Sequence, residues 1–299
     1  MAQQQDLDQM VHAIAARVRE KLQAGAREGI TNTAPCTASK KECVGCGWSA
    51  SRRPADTRAI LENGAARVAA APDVGPVATD LAGHIDHTLL KPDVTKDQLK
   101  VLCDEAKRYV FASVCVNPSN VRYCASLLAG TPVRVCTVVG FPLGATTAGS
   151  KAYEAREAIR AGATEIDMVI NVGALKSGDY TTVLEDIRKV VDASRPHVVK
   201  VILETGGLED TEKIIACTLS KVAGAHFVKT STGFGPGGAT VDDVRLMKAV
   251  VGDELEVKAS GGVRDTAGAK AMLEAGATRI GASASVAIVT GKKSKSSGY

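Results

Sequence analysis

Residues 198–262 contain three short apolar runs, VVKVILET (198–205), HFVKTSTG (226–233) and EVKASGG (256–262). Each carries one lysine, and a longer stretch of helical character follows each of the first two. Lys200, Lys229 and Lys258 recur at one fixed interval of 29 residues, room for a strand, a helix and two turns. Near-continuous apolar strands alternating with helices indicate a parallel sheet covered on both faces. An ammonium group buried in such a strand costs several kcal/mol unless it is neutralised or paired. Three in register therefore imply strand ends that converge on one pocket.

The same alternation extends outward over residues 84–289. Further strand candidates are HIDHT (84–88), SVCVNP (113–118), RVCTVVGFP (134–142), EIDMVIN (165–171) and RIGASAS (279–285). Between them lie stretches such as TKDQLKVLCDEAKRY and TVLEDIRKVVDASR, apolar at i, i+3, i+4 and i+7. Glycine in AGA or AGAT can end the helices before several strands. Eight such units favour a closed (β/α)8 barrel of the TIM type over an open doubly wound sheet. No G-x-G-x-x-G follows the first strand, which further weakens a dinucleotide fold. The expected organisation is an N-terminal extension (1–83), a barrel (84–290) and a C-terminal tail (291–299).

Composition narrows the function classes. The net charge of +4 is small for 299 residues, and the only basic run is KKSK near the C-terminus. Nucleic acid is not expected as a partner; a small anionic substrate suffices. No stretch approaches the roughly 20 apolar residues that span a bilayer, so no membrane association is expected. MAQQQDLDQM lacks the features of a secretory signal. Five of the eight cysteines (Cys103, Cys115, Cys124, Cys136, Cys217) sit in apolar contexts, where a reduced thiol acts as a small hydrophobe. A reducing, cytoplasmic setting follows.

Active sites of parallel barrels lie at the carboxyl ends of the strands. The polar residues late in these strands are Asp86, Cys115, Asn117, Asp167, Asn171, Lys200, Lys229, Lys258, Ser283 and Ser285. A structural ion-pair network is the plain reading, but buried salt bridges rarely improve on apolar packing. Three lysines and two aspartates exceed a structural need. Lys229, flanked by a lysine strand on either side, is the expected amine nucleophile, its proton disfavoured by neighbouring Lys258. Asp167 is placed for proton transfer, and Lys200 for electrostatics or a relay. The turns GFGPGG (233–238), SGGVR (260–264) and GASAS (281–285) offer backbone N–H groups and hydroxyls for an anion. Expected substrate and phosphate contacts are Cys115, Thr230, Ser231, Gly233, Gly261, Gly262, Ser283 and Ser285.

Taken together, IDHTLLKPDVT, SVCVNP, VVGFPLGATT, EIDMVINVGALKSGDY, VKVILETG, FVKTSTGFGPGGAT, KASGGVRD and RIGASAS resemble the deoxyribose-phosphate aldolase family. The likeness covers essentially all of 84–289, in order. It implies that Lys229 forms a Schiff base, Lys258 perturbs it, Asp167 moves protons and Asp86 lines the pocket. The implied reaction is reversible cleavage of 2-deoxy-D-ribose 5-phosphate to acetaldehyde and D-glyceraldehyde 3-phosphate, with no metal or organic cofactor. Some family members carry a terminal tyrosine that reaches the site, so Tyr299 is a candidate for that role; a solubilising tail is the alternative. An aldolase for another phosphorylated sugar and an idle scaffold barrel are the competing readings. A homo-oligomer is expected.

The extension needs its own account. Leu7, Met10, Val11, Ile14, Val18 and Leu22 fall on one helical face. A second helix is expected over Thr57–Ala70, and Pro72, Gly75 and Pro76 form a hinge. Residues 7–22 resemble the encapsulation peptides that carry enzymes into bacterial microcompartments, with a shell protein as partner. The alternative is a helix packed on its own barrel or at a subunit interface. Cys36, Cys43 and Cys46 form C-x6-C-x2-C, a partial zinc or iron–sulfur site that lacks an obvious fourth ligand. His12, Cys103 or a second chain are candidates to complete it. A redox disulfide or three surface thiols explain the pattern equally well, so no metal is assigned.

Overall fold

The computed structural model describes residues 9–10, 12–20 and 79–291. Eight parallel strands form a closed barrel in sequence order, with the last pairing to the first. They are β1 (Ile85–Leu89), β2 (Ser113–Val116), β3 (Arg134–Val139) and β4 (Glu165–Val169), then β5 (Val198–Ile202), β6 (Phe227–Lys229), β7 (Glu256–Ser260) and β8 (Arg279–Ala282). All eight expected strands are present. Seven of the eight expected runs extend past their strands because their last residues leave the sheet to build the mouth; β1 instead runs one residue beyond its expected end, to Leu89.

The helices are α1 (12–20), α2 (Thr79–Ala82), α3 (Lys96–Tyr109), α4 (Val121–Leu128), α5 (Ala148–Arg160) and α6 (Val172–Lys176). They continue with α7 (Tyr180–Ser194), α8 (Asp210–Ala223), α9 (Val241–Val251), α10 (Thr266–Glu274) and α11 (Ser285–Thr290). Local sequence fixes their ends. Thr95 and Gln98 close a reciprocal capping box at the start of α3, and Gly224 takes a left-handed conformation to end α8.

Alternation along the strands sorts the side chains. Val199, Val201, Val228, Val257 and Ala259 join the apolar layer beneath the helices. The residues between them, Lys200, Lys229 and Lys258, face the barrel interior. Register sets them side by side: Asp167 is level with Lys200, Lys229 with Lys258, and Lys258 with Arg279. A small apolar cluster of Leu90, Cys115, Cys136 and Val138, with Phe141 against it, occupies the opposite side.

The amphipathic α1 packs on the barrel: Val18 is 1% exposed and belongs to the main core, with Ile14 against it. A groove beside it is lined by His12, Arg19, Lys221 and Glu254. Cys103, one candidate fourth ligand, is fully buried in the core. Cys36, Cys43 and Cys46, segment 57–70, the hinge at 72–76 and Tyr299 lie outside the described residues. Among those described, no helix is long and apolar enough to cross a membrane.

Candidate active site

Asp167 is the hub of the barrel interior. Its Oδ1 accepts from Lys200 Nζ at 2.8 Å and from the Cys136 thiol at 3.1 Å. Its Oδ2 accepts from Lys229 Nζ at 2.8 Å and from Lys258 Nζ at 2.7 Å. A second carboxylate, Asp86, pairs with Lys258 at 2.5 Å and accepts from Arg279 Nη1 and Ser113 Oγ, both at 2.7 Å. Beneath them Glu165 takes Lys200 at 2.6 Å and Arg279 at 3.0 Å. Phe227 lies beneath the Lys200 and Arg279 cations.

The three lysines that the sequence set around one pocket converge there on a shared carboxylate. Carboxylates stand between them. Burial alone pushes the Asp167 carboxyl up, but the ammonium groups of Lys200, Lys229 and Lys258 overcome it and hold it well below the usual range. Asp86 is likewise held low against its burial by Arg279, Lys258 and Lys200. For Lys258, burial disfavours the charge, but Asp167 and Asp86 raise its pKa above the ordinary lysine value. Lys200 is raised in the same way against burial, with Asp167 as its strongest opposing partner. Both are fixed as cations.

Lys229 differs from them. It has one carboxylate partner, and its side chain is 3% exposed, whereas Lys200 and Lys258 are fully enclosed. Lys200 and Lys258 each contact more than one carboxylate. Of the three lysine side chains, only that of Lys229 keeps any exposure.

The glycine turns surround the mouth on the β6–β8 side. Gly261 and Gly262 have φ of 89° and 82°, a left-handed region open to glycine at little cost. A side chain on Gly281 would collide with Ser260 Oγ. Ser231 Oγ and Ser260 Oγ are buried with no hydrogen-bond partner among the described residues, so both are free to meet a ligand hydroxyl. Ser283 is half-buried at the rim, and Gly233 has φ of 86° in the loop after β6. Glu204 accepts from Thr232 N at 3.2 Å and from the Thr232 hydroxyl, anchoring that loop.

Several expected contacts are placed elsewhere. Thr230 Oγ1 is fully engaged with the Ser260 backbone, bracing β6 against β7. Ser285 is buried and bonds to His87 and Ala282, behind the rim rather than at it. Asn171 caps α6 through Ala174 N, and Asn117 holds the Leu90 carbonyl. Cys115, by contrast, is buried beside Cys136 in the barrel interior, its thiol within 4.8 Å of an Asp167 oxygen. The sequence reading missed Glu165 and Arg279, although alternation from Asp167 and Gly281 points to both. Cys115, Cys136 and Asp167 lie close enough to share a metal ion, as do Asp86, Cys136 and Glu165. Their carboxylates are already matched to ammonium and guanidinium groups, so the donor set fits protein cations rather than a metal.

A parallel barrel with one lysine amine beside an ionised interior aspartate has the makings of a Schiff-base aldolase. Residues 81–293 match the DeoC/LacD family aldolase, and the chain belongs to that family. A deoxyribose-phosphate aldolase of Staphylococcus carnosus is 60% identical over 217 residues, covering 73% of this chain and 99% of that one. A solved putative deoxyribose-phosphate aldolase from Coccidioides immitis superposes with a TM-score of 0.70 at 42% identity, covering 79% of this chain and 95% of that one. The deoxyribose phosphate aldolase of Aeropyrum pernix, described as a unique tetramer, gives 0.66 at 34% identity, covering 70% and 89%.

Proposed function

We propose that this chain reversibly cleaves 2-deoxy-D-ribose 5-phosphate to acetaldehyde and D-glyceraldehyde 3-phosphate, with Lys229 as the Schiff-base lysine. The observation that carries the assignment is the asymmetry among the lysines. Lys200 and Lys258 are locked as ammonium ions, while Lys229 has one carboxylate partner and is the one of the three that keeps any exposure. Attack requires an uncharged amine. The interior cluster holds three carboxylates (Asp86, Glu165, Asp167) against Lys200, Lys258, Arg279 and Lys229.

In the cleavage direction the Lys229 amine adds to the C1 aldehyde, and loss of water leaves an iminium ion. A base takes the proton of the C3 hydroxyl, the C2–C3 bond breaks, and its electrons pass into the iminium to give an enamine. Glyceraldehyde 3-phosphate leaves with C3 as its carbonyl carbon. Protonation of the enamine at C2 and hydrolysis release acetaldehyde and restore the amine. Ionised Asp167, acting through a water, serves as the proton carrier, and Lys258 as the fixed cation that tunes the exchange. Ser231 and Ser260 offer hydroxyls to the sugar, while Gly233, Gly261, Gly262 and Ser283 receive the phosphate. The test is acetaldehyde release from deoxyribose 5-phosphate by wild type and Lys229→Ala. Release by wild type alone supports the assignment; equal release by both rules it out.

Two wider points belong to the same reading. A homo-oligomer is proposed by analogy with the tetrameric Aeropyrum relative. A cytoplasmic setting is supported by free cysteines at all five such positions among the described residues. Delivery of residues 7–22 to a microcompartment shell requires α1 to leave the barrel. The burial of Val18 favours the docked helix as its resting state.

A further inference from the structure

Behind the proposed phosphate cradle runs a chain of hydrogen bonds that the reaction itself does not use. His87 is the outward-facing neighbour of Asp86 on β1 and is almost fully buried. Its Nδ1 lies 2.9 Å from Ser285 Oγ, and its Nε2 lies 2.8 Å from Glu105 Oε2 on α3. Ser285 Oγ in turn donates to the carbonyl of Ala282 at 2.9 Å. Ala282 is the register partner of His87 across the β1–β8 pairing. The hydroxyl therefore closes a ring around the turn 282–285, with Ser283 at its tip.

Ser285 Oγ lies within hydrogen-bond distance of both His87 Nδ1 and the Ala282 carbonyl. His87 thus hydrogen-bonds through both ring nitrogens, to Ser285 and to Glu105, and links three elements: β1, α3 and the start of α11. Packing cannot replace this link. A cavity of about 430 Å³ adjoins Ser283, His87 and Glu105, so the turn has open space on that side instead of close-packed side chains.

We propose that His87, held by Glu105 and acting through Ser285, is a positioning residue that fixes Ser283 for the phosphate of the substrate. The inference rests on the aldolase reading above, and in particular on Ser283 facing the phosphate. Neither His87 nor Ser285 touches the reacting carbons, so their effect falls on recognition of the phosphorylated substrate.

The test compares kinetics on 2-deoxyribose 5-phosphate and on unphosphorylated 2-deoxyribose for wild type, Ser285→Ala, Ser285→Thr and His87→Phe. Ser285→Ala removes a single hydroxyl. His87→Phe keeps a ring against Phe111, now 5.2 Å between centroids, but loses both hydrogen-bonding ring nitrogens. Both variants should raise KM for the phosphorylated sugar by about tenfold, the scale of one lost hydrogen bond in the tether. Their kcat should stay within about twofold, and cleavage of the unphosphorylated sugar should match wild type. Ser285→Thr, which keeps the hydroxyl, should restore KM. Equal losses on both sugars would mean a general structural role, and an unchanged KM in Ser285→Ala would mean no role; either overturns the proposal. Failure of wild type itself to cleave the phosphorylated sugar would instead sink the substrate assignment, and this proposal with it.

Discussion

Asp167→Asn keeps the size of the side chain and removes the charge on which three lysines converge. Both oxygens are committed, Oδ1 to Lys200 at 2.8 Å and Oδ2 to Lys229 at 2.8 Å and Lys258 at 2.7 Å. An amide has one acceptor oxygen and presents an N–H₂ group on its other side, so one set of ammonium groups faces a donor. Stranding a buried charge costs about 3–5 kcal/mol. Lys200 keeps Glu165 at 2.6 Å and Lys258 keeps Asp86 at 2.5 Å, which argues for the lower end, about 3 kcal/mol. For a domain of this size that lowers Tm by about 6–12 °C. Turnover should fall by about 10²–10⁴, the range for loss of a positioned acid or base. Calorimetry and an acetaldehyde-release assay measure the two effects separately. A Tm within a degree or two of wild type, with turnover inside tenfold, would refute the placing of Asp167 at the centre of the charge network.

Further predictions follow from the same cluster and from the packing around it. Asp167 and Asp86 have pKa values depressed below the ordinary 3.8, so their contribution is complete above that pH and is lost as pH falls through the folded values. Lys200 and Lys258 are raised above the ordinary 10.5, so theirs is complete below that pH and is lost as pH rises through the folded values. Tm should therefore be flat, as far as this cluster is concerned, between these two limits, and the gap between wild type and Asp167→Asn should narrow in strong acid. Lys151→Met should cost about 3–5 kcal/mol, read by urea unfolding, because it strands Asp186, now 2.6 Å from Lys151 Nζ inside the α5–α7 layer. Removing residues 1–25 should leave the solution kinetics unchanged while exposing the barrel face beneath Val18; a matched loss of kcat would show that α1 supports the site.

Much of this arrangement is legible in the sequence because strand alternation holds wherever the chain stays in the sheet. The spacing of Lys200, Lys229 and Lys258 marks three inward positions, and the alternation of Asp167 marks a fourth. Ser285 shows where the rule ends. It shares parity with Ser283, but β8 stops at Ala282 and the hydroxyl turns back onto His87. Thr230, adjacent to inward-facing Lys229, has the parity of Val228, and its hydroxyl is spent on the Ser260 backbone. Glu165 and Arg279 were hidden by a different assumption, that only strand ends matter. They begin their strands and hold the lower layer of the charge network. Glu204 is not legible at all: its left-handed φ of 60° and its grip on Thr232 depend on how two loops meet.

The central claim is that one amine, Lys229, forms the covalent intermediate while its two neighbouring lysines stay as fixed cations. Incubation with acetaldehyde and borohydride, followed by peptide mapping, tests it most directly. The account predicts N-ethyllysine at Lys229 and unmodified side chains at Lys200 and Lys258. An adduct on either of those two, or full activity surviving reduction with no adduct at Lys229, would contradict it.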